Sequence, residues 1–258
     1  MPDEPVINVS DLDMAYGSHL IQRDLNFAVN RGDIFIVMGG SGCGKSTLLR
    51  HLVGLVRPKR GRVLYGATSF WEAEESARAQ IQRRFGILYQ SGALWSSLTL
   101  GENIALPLEA YTGLKPREVR SLAAAKLALV GLAGFDDYYP SEISGGMKKR
   151  AGLARALALD PDIVFADEPS AGLDPISAKL LDDLILQLRD SLSCTFVVVT
   201  HELASLLSIG NNSVFLDPET KTMIARGKPR DLLEGSADPR VRRFLTRGAA
   251  EAEPRKTS

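Results

Sequence analysis

Three continuous apolar runs mark the chain: IFIVM at residues 34–38, IVFA at 163–166 and TFVVV at 195–199. Short runs without alternating polar positions are typical of strands that are buried on both faces of a parallel sheet. The sequence therefore predicts a central parallel sheet.

The segments around these runs have other periods. Residues 6–29 predict short strands with turns, one of them at residues 16–18, and residues 47–53 have helical spacing. From about 91 to 159 the pattern is helical, and Pro116 suits a first helical turn. Strands that alternate with helices predict an α/β fold, with 91–159 as a helical insertion. The tail at 247–258, which is small and charged without an apolar period, predicts disorder.

Composition narrows the class of protein. The 258 residues include 31 Lys plus Arg and 31 Asp plus Glu, so the chain has no net charge that would favour a nucleic-acid partner. No run approaches the roughly 18 apolar residues of a membrane span, and the acidic N-terminus does not resemble a secretory signal. Cys43 and Cys194 fit no metal-ligand spacing, which predicts reduced thiols in a cytosolic chain.

Residues 39–46, GGSGCGKS, match the phosphate-binding pattern G-x-x-x-x-G-K-[ST]. Chance gives roughly one such match per hundred chains of this length, and here an apolar strand precedes the loop and a helix follows it. Lys45 would reach the β- and γ-phosphates, and the Ser46 hydroxyl would bind Mg²⁺. The predicted nucleotide-binding residues are Gly39, Gly40, Ser41, Gly42, Cys43, Gly44, Lys45, Ser46 and Thr47.

Polar residues follow the other two runs. Asp167 and Glu168 come directly after residues 163–166, and His201 follows the third run. The carboxyl ends of parallel strands meet at one edge of a sheet, where ligands gather. Asp167 fits a carboxylate that holds Mg²⁺ through water, Glu168 fits the base for the attacking water, and His201 fits a γ-phosphate contact. His19 and His51 lack this context and are interpreted as ordinary surface or packing residues.

A second glycine-containing segment, ISGGM at residues 143–147, precedes a predicted helix. Ser144, Gly145 and Gly146 could bind an anion through backbone donors, or Ser144 could be a simple N-cap. These residues alone leave both interpretations open.

Taken in order, these segments resemble the nucleotide-binding subunit of an ATP-binding cassette (ABC) transporter, over about residues 6–235. The matching elements are an aromatic A-loop residue (Tyr16), the Walker A loop (39–46), the Q-loop glutamine (Gln90), the signature (143–147), Walker B (Asp167 and Glu168), the D-loop (170–174) and a switch histidine (His201). The resemblance implies one ATPase domain at 1–246. Its fold would be a P-loop NTPase (RecA-like) core with a mostly parallel sheet, an N-terminal antiparallel β subdomain and an inserted α-helical subdomain.

The resemblance also implies a mechanism. Two subunits would form a head-to-tail homodimer around two ATP molecules, and Ser144, Gly145 and Gly146 of each would cap the γ-phosphate held by the other. Mg²⁺ would be bound by Ser46, Gln90 and Asp167. Catalysis would involve Glu168, His201, Gln90 and Lys45. Tyr16 would stack on adenine, although a turn aromatic in a hairpin is the competing interpretation.

One departure from the family pattern suggests a subgroup. Met147 stands where the signature usually has Gln, and it is followed by Lys148–Lys149–Arg150. With residues 90–94, QSGAL, this variant resembles the ATPases of MCE-protein lipid transporters, the Mla type. That resemblance implies an MlaE-like permease, an MCE-domain protein in the complex and transport of phospholipid or a related lipid. The chain would then lie peripherally at the cytoplasmic face of the bacterial inner membrane.

An apolar cluster follows Gln90: Ala93, Leu94, Trp95, Leu98, Leu100 and Ile104. Most of it is expected to pack inside the helical insertion. In the family, a groove beside the insertion receives a short helix of the permease, so an exposed patch between Gln90 and Ile104 would be a partner site. Trp95 is the residue that we expect to make this contact.

Three other functions share these motifs. An importer ATPase for amino acids or ions has the same catalytic residues, and only the Met147 variant argues against it. A DNA-repair or translation ATPase would carry coiled-coil insertions or two cassettes, unlike this chain. A cell-division module that binds ATP without hydrolysing it is disfavoured by Glu168 and His201.

Overall fold

A computed structural model describes residues 5–246. The predicted tail at 247–258 lies outside this range. The first sheet contains β1 (Pro5–Tyr16), β2 (His19–Asn30), β4 (Arg60–Tyr65) and β5 (Thr68–Ser69), in the antiparallel order β2-β1-β4-β5. The turn between β1 and β2 lies at residues 17–18, as predicted.

The prediction of several short strands over 6–29 was wrong. The segment forms two strands of 12 residues each, and bulges shift their register, for example between Val9 and Leu12. Asp11 and Asp24, both with a φ of 49°, interrupt the alternation of buried and exposed positions. Each long strand therefore has the polar pattern of two short ones.

The second sheet contains the three predicted central strands side by side. It comprises β3 (Ile34–Gly39), β6 (Phe85–Leu88), β7 (Ile163–Asp167), β8 (Thr195–Val199), β9 (Asn212–Asp217) and β10 (Thr222–Arg226). Their order is β10-β9-β3-β8-β7-β6, and every pair is parallel except β10 with β9. The carboxyl ends of β3, β7 and β8 therefore lie at one edge.

The described chain also contains nine α-helices. They are α1 (Lys45–Leu52), α2 (Glu75–Arg83), α3 (Leu100–Tyr111), α4 (Pro116–Leu129), α5 (Gly145–Ala156), α6 (Pro175–Leu192), α7 (Leu203–Ile209), α8 (Pro229–Gly235) and α9 (Pro239–Leu245). Pro116 occupies the first turn of α4, as predicted. Residues 91–99 form a loop rather than a helix, and Gly92 and Ala93 within it have positive φ angles of 75° and 49°.

The central sheet separates two hydrophobic cores. On β3, Ile34 and Ile36 face the core formed with α3, α4 and α5, whereas Phe35 and Val37 face the core formed with α1 and the first sheet. Because both faces of β3 are covered, all six of its residues are buried. This two-sided burial explains the absence of polar positions in the apolar runs.

Cys43 and Cys194 are buried free thiols, and burial raises the pKa of Cys194 to about 12. Within residues 5–246, no helix combines the length and the apolar character that a membrane crossing requires.

Candidate functional site

The glycine loop connects β3 to α1 and lines a cleft of about 1090 Å³. Gly39 has a φ of 146°, and a Cβ there would lie 2.4 Å from the backbone oxygen of Leu216, so no larger residue fits without displacing β9. α1 begins at Lys45, so the free N–H groups of its first turn point toward the cleft. This is the backbone geometry that a phosphate group requires.

The Lys45 side chain folds back over the loop. Its Nζ donates to the carbonyl oxygens of Gly39 at 2.9 Å and Gly40 at 3.0 Å. These bonds hold a positive charge at the mouth of the phosphate-binding loop. A phosphate oxygen could replace a carbonyl as the acceptor with little movement of the ammonium group.

Ser46 and Asp167 meet at the edge of the sheet. The Ser46 hydroxyl donates to Asp167 Oδ1 at 3.2 Å. Burial raises the pKa of Asp167, while the bond from Ser46 opposes the rise. Residues 5–246 contain no cluster of three or more His, Cys, Asp or Glu that could hold a metal. A hydroxyl and one carboxylate instead suit Mg²⁺, which keeps several waters and completes its shell with substrate phosphates.

Glu168 and His201 form a second pair. His201 Nδ1 lies 2.7 Å from Glu168 Oε1, and the other carboxylate oxygen of Glu168, Oε2, is buried without a protein partner. Both residues line the cleft. An oriented carboxylate with one unoccupied oxygen can accept a proton from a water molecule bound beside it.

The backbone of Glu168 is unusual. Its φ is 49°, in the left-handed region, and its N–H donates to the carbonyl of Val199 at 2.8 Å. Neighbouring strand β8 thus holds Glu168 in a conformation that costs a residue with a Cβ roughly 1 to 2 kcal/mol. Such outliers are typical of functional sites.

Lys149 was missed by the sequence interpretation. It is buried on α5, and its Nζ donates to the backbone oxygen of Gln90 and, at 3.3 Å, to that of Glu168. Burial lowers its pKa, which the charge of Glu168 partly offsets. Lys149 shares a helical face with Gly152 and Leu153, and this pattern could have indicated that it is buried. However, Lys148, Lys149 and Arg150 are consecutive, and such a run of charges usually indicates a solvent-exposed surface.

Gln90 and most of the glycine loop line the same cleft, whereas Cys43, Tyr16 and Asp167 are not among its lining residues. The Cys43 side chain is buried away from it, so that residue can offer only its backbone. Tyr16 is 45% exposed, and its hydroxyl accepts a bond from Arg50 at 3.4 Å. That bond lowers the pKa of Tyr16.

The C-terminal part of the described chain also lines the cleft. Asp217 is the last residue of β9, and Arg240 on α9 is paired with it at 2.7 Å. Phe244, also on α9, borders the same space. The sequence interpretation did not include these residues because they belong to no recognised motif.

The signature segment lies away from this cleft. Ser144 is the N-cap of α5, and its Oγ accepts from the Met147 N–H at 3.3 Å. A Cβ added at Gly146 would contact Ser177 on α6. Within one chain, Ser144, Gly145 and Gly146 are absent from the residues that line the phosphate cleft.

A second cleft, of about 420 Å³, lies beside α3 and α5. Trp95 lines this cleft and is 62% exposed. Tyr111 also lines it, and the guanidinium carbon of Arg83 lies 5.4 Å from the centre of the Tyr111 ring. Leu100 and Ile104 are fully buried instead. Of the predicted apolar cluster, these two pack inside and Trp95 faces solvent.

The two histidines outside the motifs behave as ordinary residues. His51 is fully buried, with its Nδ1 2.7 Å from the carbonyl of Val56, and burial lowers its pKa. His19 is exposed at the start of β2.

Solved structures share this architecture. The cbiO1 protein of Clostridium perfringens, part of the ABC transporter complex cbiONQ, superposes with a TM-score of 0.82 at 23% identity, over 90% of this chain and 92% of that one. The ATP-binding cassette MJ0796, a dimer in a post-hydrolysis state bound to ADP and Pi, gives a TM-score of 0.77 at 27% identity, over 86% and 98%.

Sequence relatives extend the comparison. MlaF of Escherichia coli K12, an intermembrane phospholipid transport ATP-binding protein, is 38% identical over 240 residues, which cover 93% of this chain and 88% of that protein. The "Probable ribonucleotide transport ATP-binding protein mkl" of Mycobacterium tuberculosis H37Rv is 40% identical over 239 residues. That alignment covers 93% of this chain but 66% of the mycobacterial protein, so the chain spans slightly less than two thirds of that relative.

The family model described as "ABC transporter" matches residues 22–171. This range includes the glycine loop, Gln90, the signature and both Walker B carboxylates. The chain therefore belongs to the ABC transporter family.

Proposed function

We propose that this chain binds and hydrolyses ATP with Mg²⁺, and that two copies close on two ATP molecules to drive a membrane permease that moves phospholipid or a related lipid. One observation carries the ATPase assignment: a single cleft brings the glycine loop and Lys45 together with Gln90, Glu168 and His201. A phosphate site and an oriented base are the two requirements of phosphate-ester hydrolysis by water.

Each residue then has a defined task. The loop N–H groups and Lys45 bind and orient the phosphates, and His201 fixes the orientation of Glu168. Glu168 Oε2 accepts a proton from the attacking water. Mg²⁺, held by Ser46 and Asp167 with Gln90 nearby, would neutralise charge on the phosphates. Tyr16 would provide an aromatic face for adenine.

The dimer follows from an incomplete site. Ser144, Gly145 and Gly146 present an N-cap and two glycines to solvent, away from their own phosphate cleft. In a head-to-tail pair, these residues cap the γ-phosphate in the other subunit. The dimeric state of the related cassette MJ0796 supports this arrangement.

The test of hydrolysis is Glu168→Gln. The amide cannot accept the proton, so we expect kcat to fall at least 100-fold, as removal of a general base does, while the Kd for ATP stays within twofold. Because ATP is then bound and not hydrolysed, the variant should elute as a dimer with ATP in size-exclusion chromatography. Full ATPase activity in Glu168→Gln would show that another group is the base.

The proposed partner is an MlaE-like permease, with an MCE-domain protein in the same complex and the chain peripheral at the cytoplasmic face of the inner membrane. The cleft of about 420 Å³ at Trp95, with the exposed side chains of Trp95 and Tyr111 at its border, is the surface that would receive a short helix of the permease. The phospholipid transport named for the MlaF relatives, together with Met147 in the signature, supports a lipid as cargo.

The cargo is tested by purifying the tagged chain with its membrane partner and identifying bound molecules by mass spectrometry. We expect phospholipid, and we expect Trp95→Ala to lose the membrane subunit while ATP binding is unchanged. The name of the mycobacterial relatives makes ribonucleotides the second candidate. Recovery of ribonucleotides other than ATP and ADP, in place of lipid, would favour that candidate.

A further inference from the structure

We propose that Lys149 is a positioning residue that links α5, the helix that follows the signature segment, to the catalytic residues of its own chain. Through this link, binding of ATP at one site would change the catalytic geometry of the other. The proposal rests on the ATPase and dimer proposed above. It assigns a role within one subunit to a helix whose N-terminus serves the other subunit.

The buried ammonium group is the first observation. Lys149 is 6% exposed, and its Nζ donates to the backbone oxygens of Gln90 and Glu168. A buried charge is costly unless it is hydrogen-bonded, and here both acceptors belong to residues that line the phosphate cleft. Lys149 therefore fixes the backbone of Glu168, the proposed base, and of Gln90, a proposed Mg²⁺ ligand, relative to α5.

The same helical face holds the rest of the loop after Gln90. Arg155 donates to the carbonyl oxygens of Ala93 at 2.7 Å and Gly92 at 3.2 Å. Between the two cations, a Cβ at Gly152 would lie 2.9 Å from the Gly92 oxygen, so the helix and the loop are in direct backbone contact. Lys149, Gly152 and Arg155 recur every three residues and thus form one stripe along α5.

The helix α5 connects three regions: the signature segment, the proposed base and the second cleft. α5 has 12 residues, or about 18 Å at 1.5 Å per residue. Ser144 caps its N-terminus, Lys149 contacts the base from the middle, and Arg155 near its C-terminus lines the second cleft. A displacement of α5 by ATP bound at Ser144, or by a partner in the second cleft, would move the backbone of Glu168 through Lys149.

Lys149→Met tests this inference, because methionine keeps the length and the burial of the side chain and removes its donors. Measurements use the full chain purified with its membrane subunits. We expect kcat to fall at least tenfold, the Hill coefficient for ATP to fall toward one, and the Kd for a fluorescent ATP analogue to stay within twofold. Lys149→Arg, which retains a cationic donor, should recover most of the kcat.

The matched control is Lys126→Met. Lys126 is also a buried lysine, 4% exposed, but its Nζ is bonded to Asp160 at 2.5 Å, away from the phosphate cleft. It should lose thermal stability to a similar degree without losing kcat or cooperativity. A merely structural role for Lys149 would give the two variants the same profile.

The outcomes separate the inference from the function on which it rests. If the wild-type complex hydrolyses no ATP, the proposed function fails. If the wild-type complex is active and Lys149→Met keeps its kcat and its Hill coefficient, the positioning role is refuted. Loss of ATP binding in Lys149→Met would also refute it, because the lysine would then support the nucleotide site as a whole.

Discussion

At the scale of single residues, the position of a side chain depends either on a local motif or on the packing of elements that are distant in sequence. Lys45, Ser46, Glu168 and His201 belong to motifs whose spacing fixes their place at strand ends, and the structure brings them to one edge of the sheet. The position of Lys149 depends on how α5 lies against Gln90, which is distant in sequence. No local pattern encodes that packing.

Asp182 gives a residue-scale prediction about pH. It is 3% exposed on α6, with Oδ1 unpaired, and burial raises its pKa to about 6. The side chains that modify this value are Ser205, Lys179 and Asp183. Since the folded state favours the neutral form, stability declines as pH rises from the unfolded value of 3.8 through about 6 and remains lower above it.

Asp182→Asn removes this ionisation. We expect its free energy of unfolding to exceed that of the wild type by on the order of 2 to 3 kcal/mol at pH 8, and the two proteins to converge near pH 4. Urea unfolding at both pH values measures the difference. For Asp183→Asn, at a half-exposed position beside it, the difference in stability from the wild type should change much less with pH, because Asp182 still titrates in that variant. Equal stability of Asp182→Asn and the wild type at pH 8 would contradict the raised pKa.

At the scale of elements, long apolar runs were predicted and short or bulged segments were not. The strand β6 has four residues, one of them glycine, and offers too little pattern to recognise. The 91–99 loop was included in the helical insertion because its apolar residues continue into α3. The second half of this loop is instead organised by hydrogen bonds to a single side chain of α3.

That side chain is Asn103. It is fully buried on α3, accepts from the Trp95 N–H at 2.8 Å, and donates to the carbonyl oxygens of Trp95, Leu98 and Thr99. Removing it leaves several backbone groups of the loop unpaired. Each net hydrogen bond stabilises the fold by about 1 kcal/mol. Because two of these bonds are made to the backbone of Trp95, Asn103 holds Trp95 at the second cleft.

Asn103→Ala should therefore lower the free energy of unfolding by about 2 to 4 kcal/mol and weaken the association with the membrane partner. Chemical denaturation measures the first effect, and the yield of co-purified membrane subunit measures the second. Glu109→Ala, at an exposed position of the same helix, should stay within about 0.5 kcal/mol of the wild type. Undiminished co-purification of a folded Asn103→Ala protein would separate the loop from partner binding.

At the scale of the whole molecule, the proposed dimer would give each chain two halves of different ATP sites. Lys45→Ala disables the phosphate cradle, whereas Ser144→Arg disables the signature that serves the other subunit. Each variant alone should lose nearly all ATPase activity. ATP binding by the isolated Ser144→Arg monomer should persist, because Ser144 lies outside its own cleft.

Mixing the two inactive variants tests the arrangement. A mixed dimer contains one intact site, formed by the cradle of the Ser144→Arg chain and the signature of the Lys45→Ala chain. We expect the mixture to regain measurable ATP hydrolysis that neither variant shows alone. Absence of any recovery, with mixed dimers demonstrated by differently tagged chains, would contradict a site shared between subunits.

The left-handed backbone of Glu168 has a consequence for the stability of the molecule. Asparagine tolerates this conformation better than glutamate does, and it also removes a carboxylate oxygen that is buried without a protein partner. We expect Glu168→Asn to melt at a higher temperature than the wild type while hydrolysing no ATP, as differential scanning calorimetry and a phosphate-release assay would show. With Glu168 as the proposed base, stability is lost for the sake of activity at this position, and selection for thermal stability alone would replace this residue.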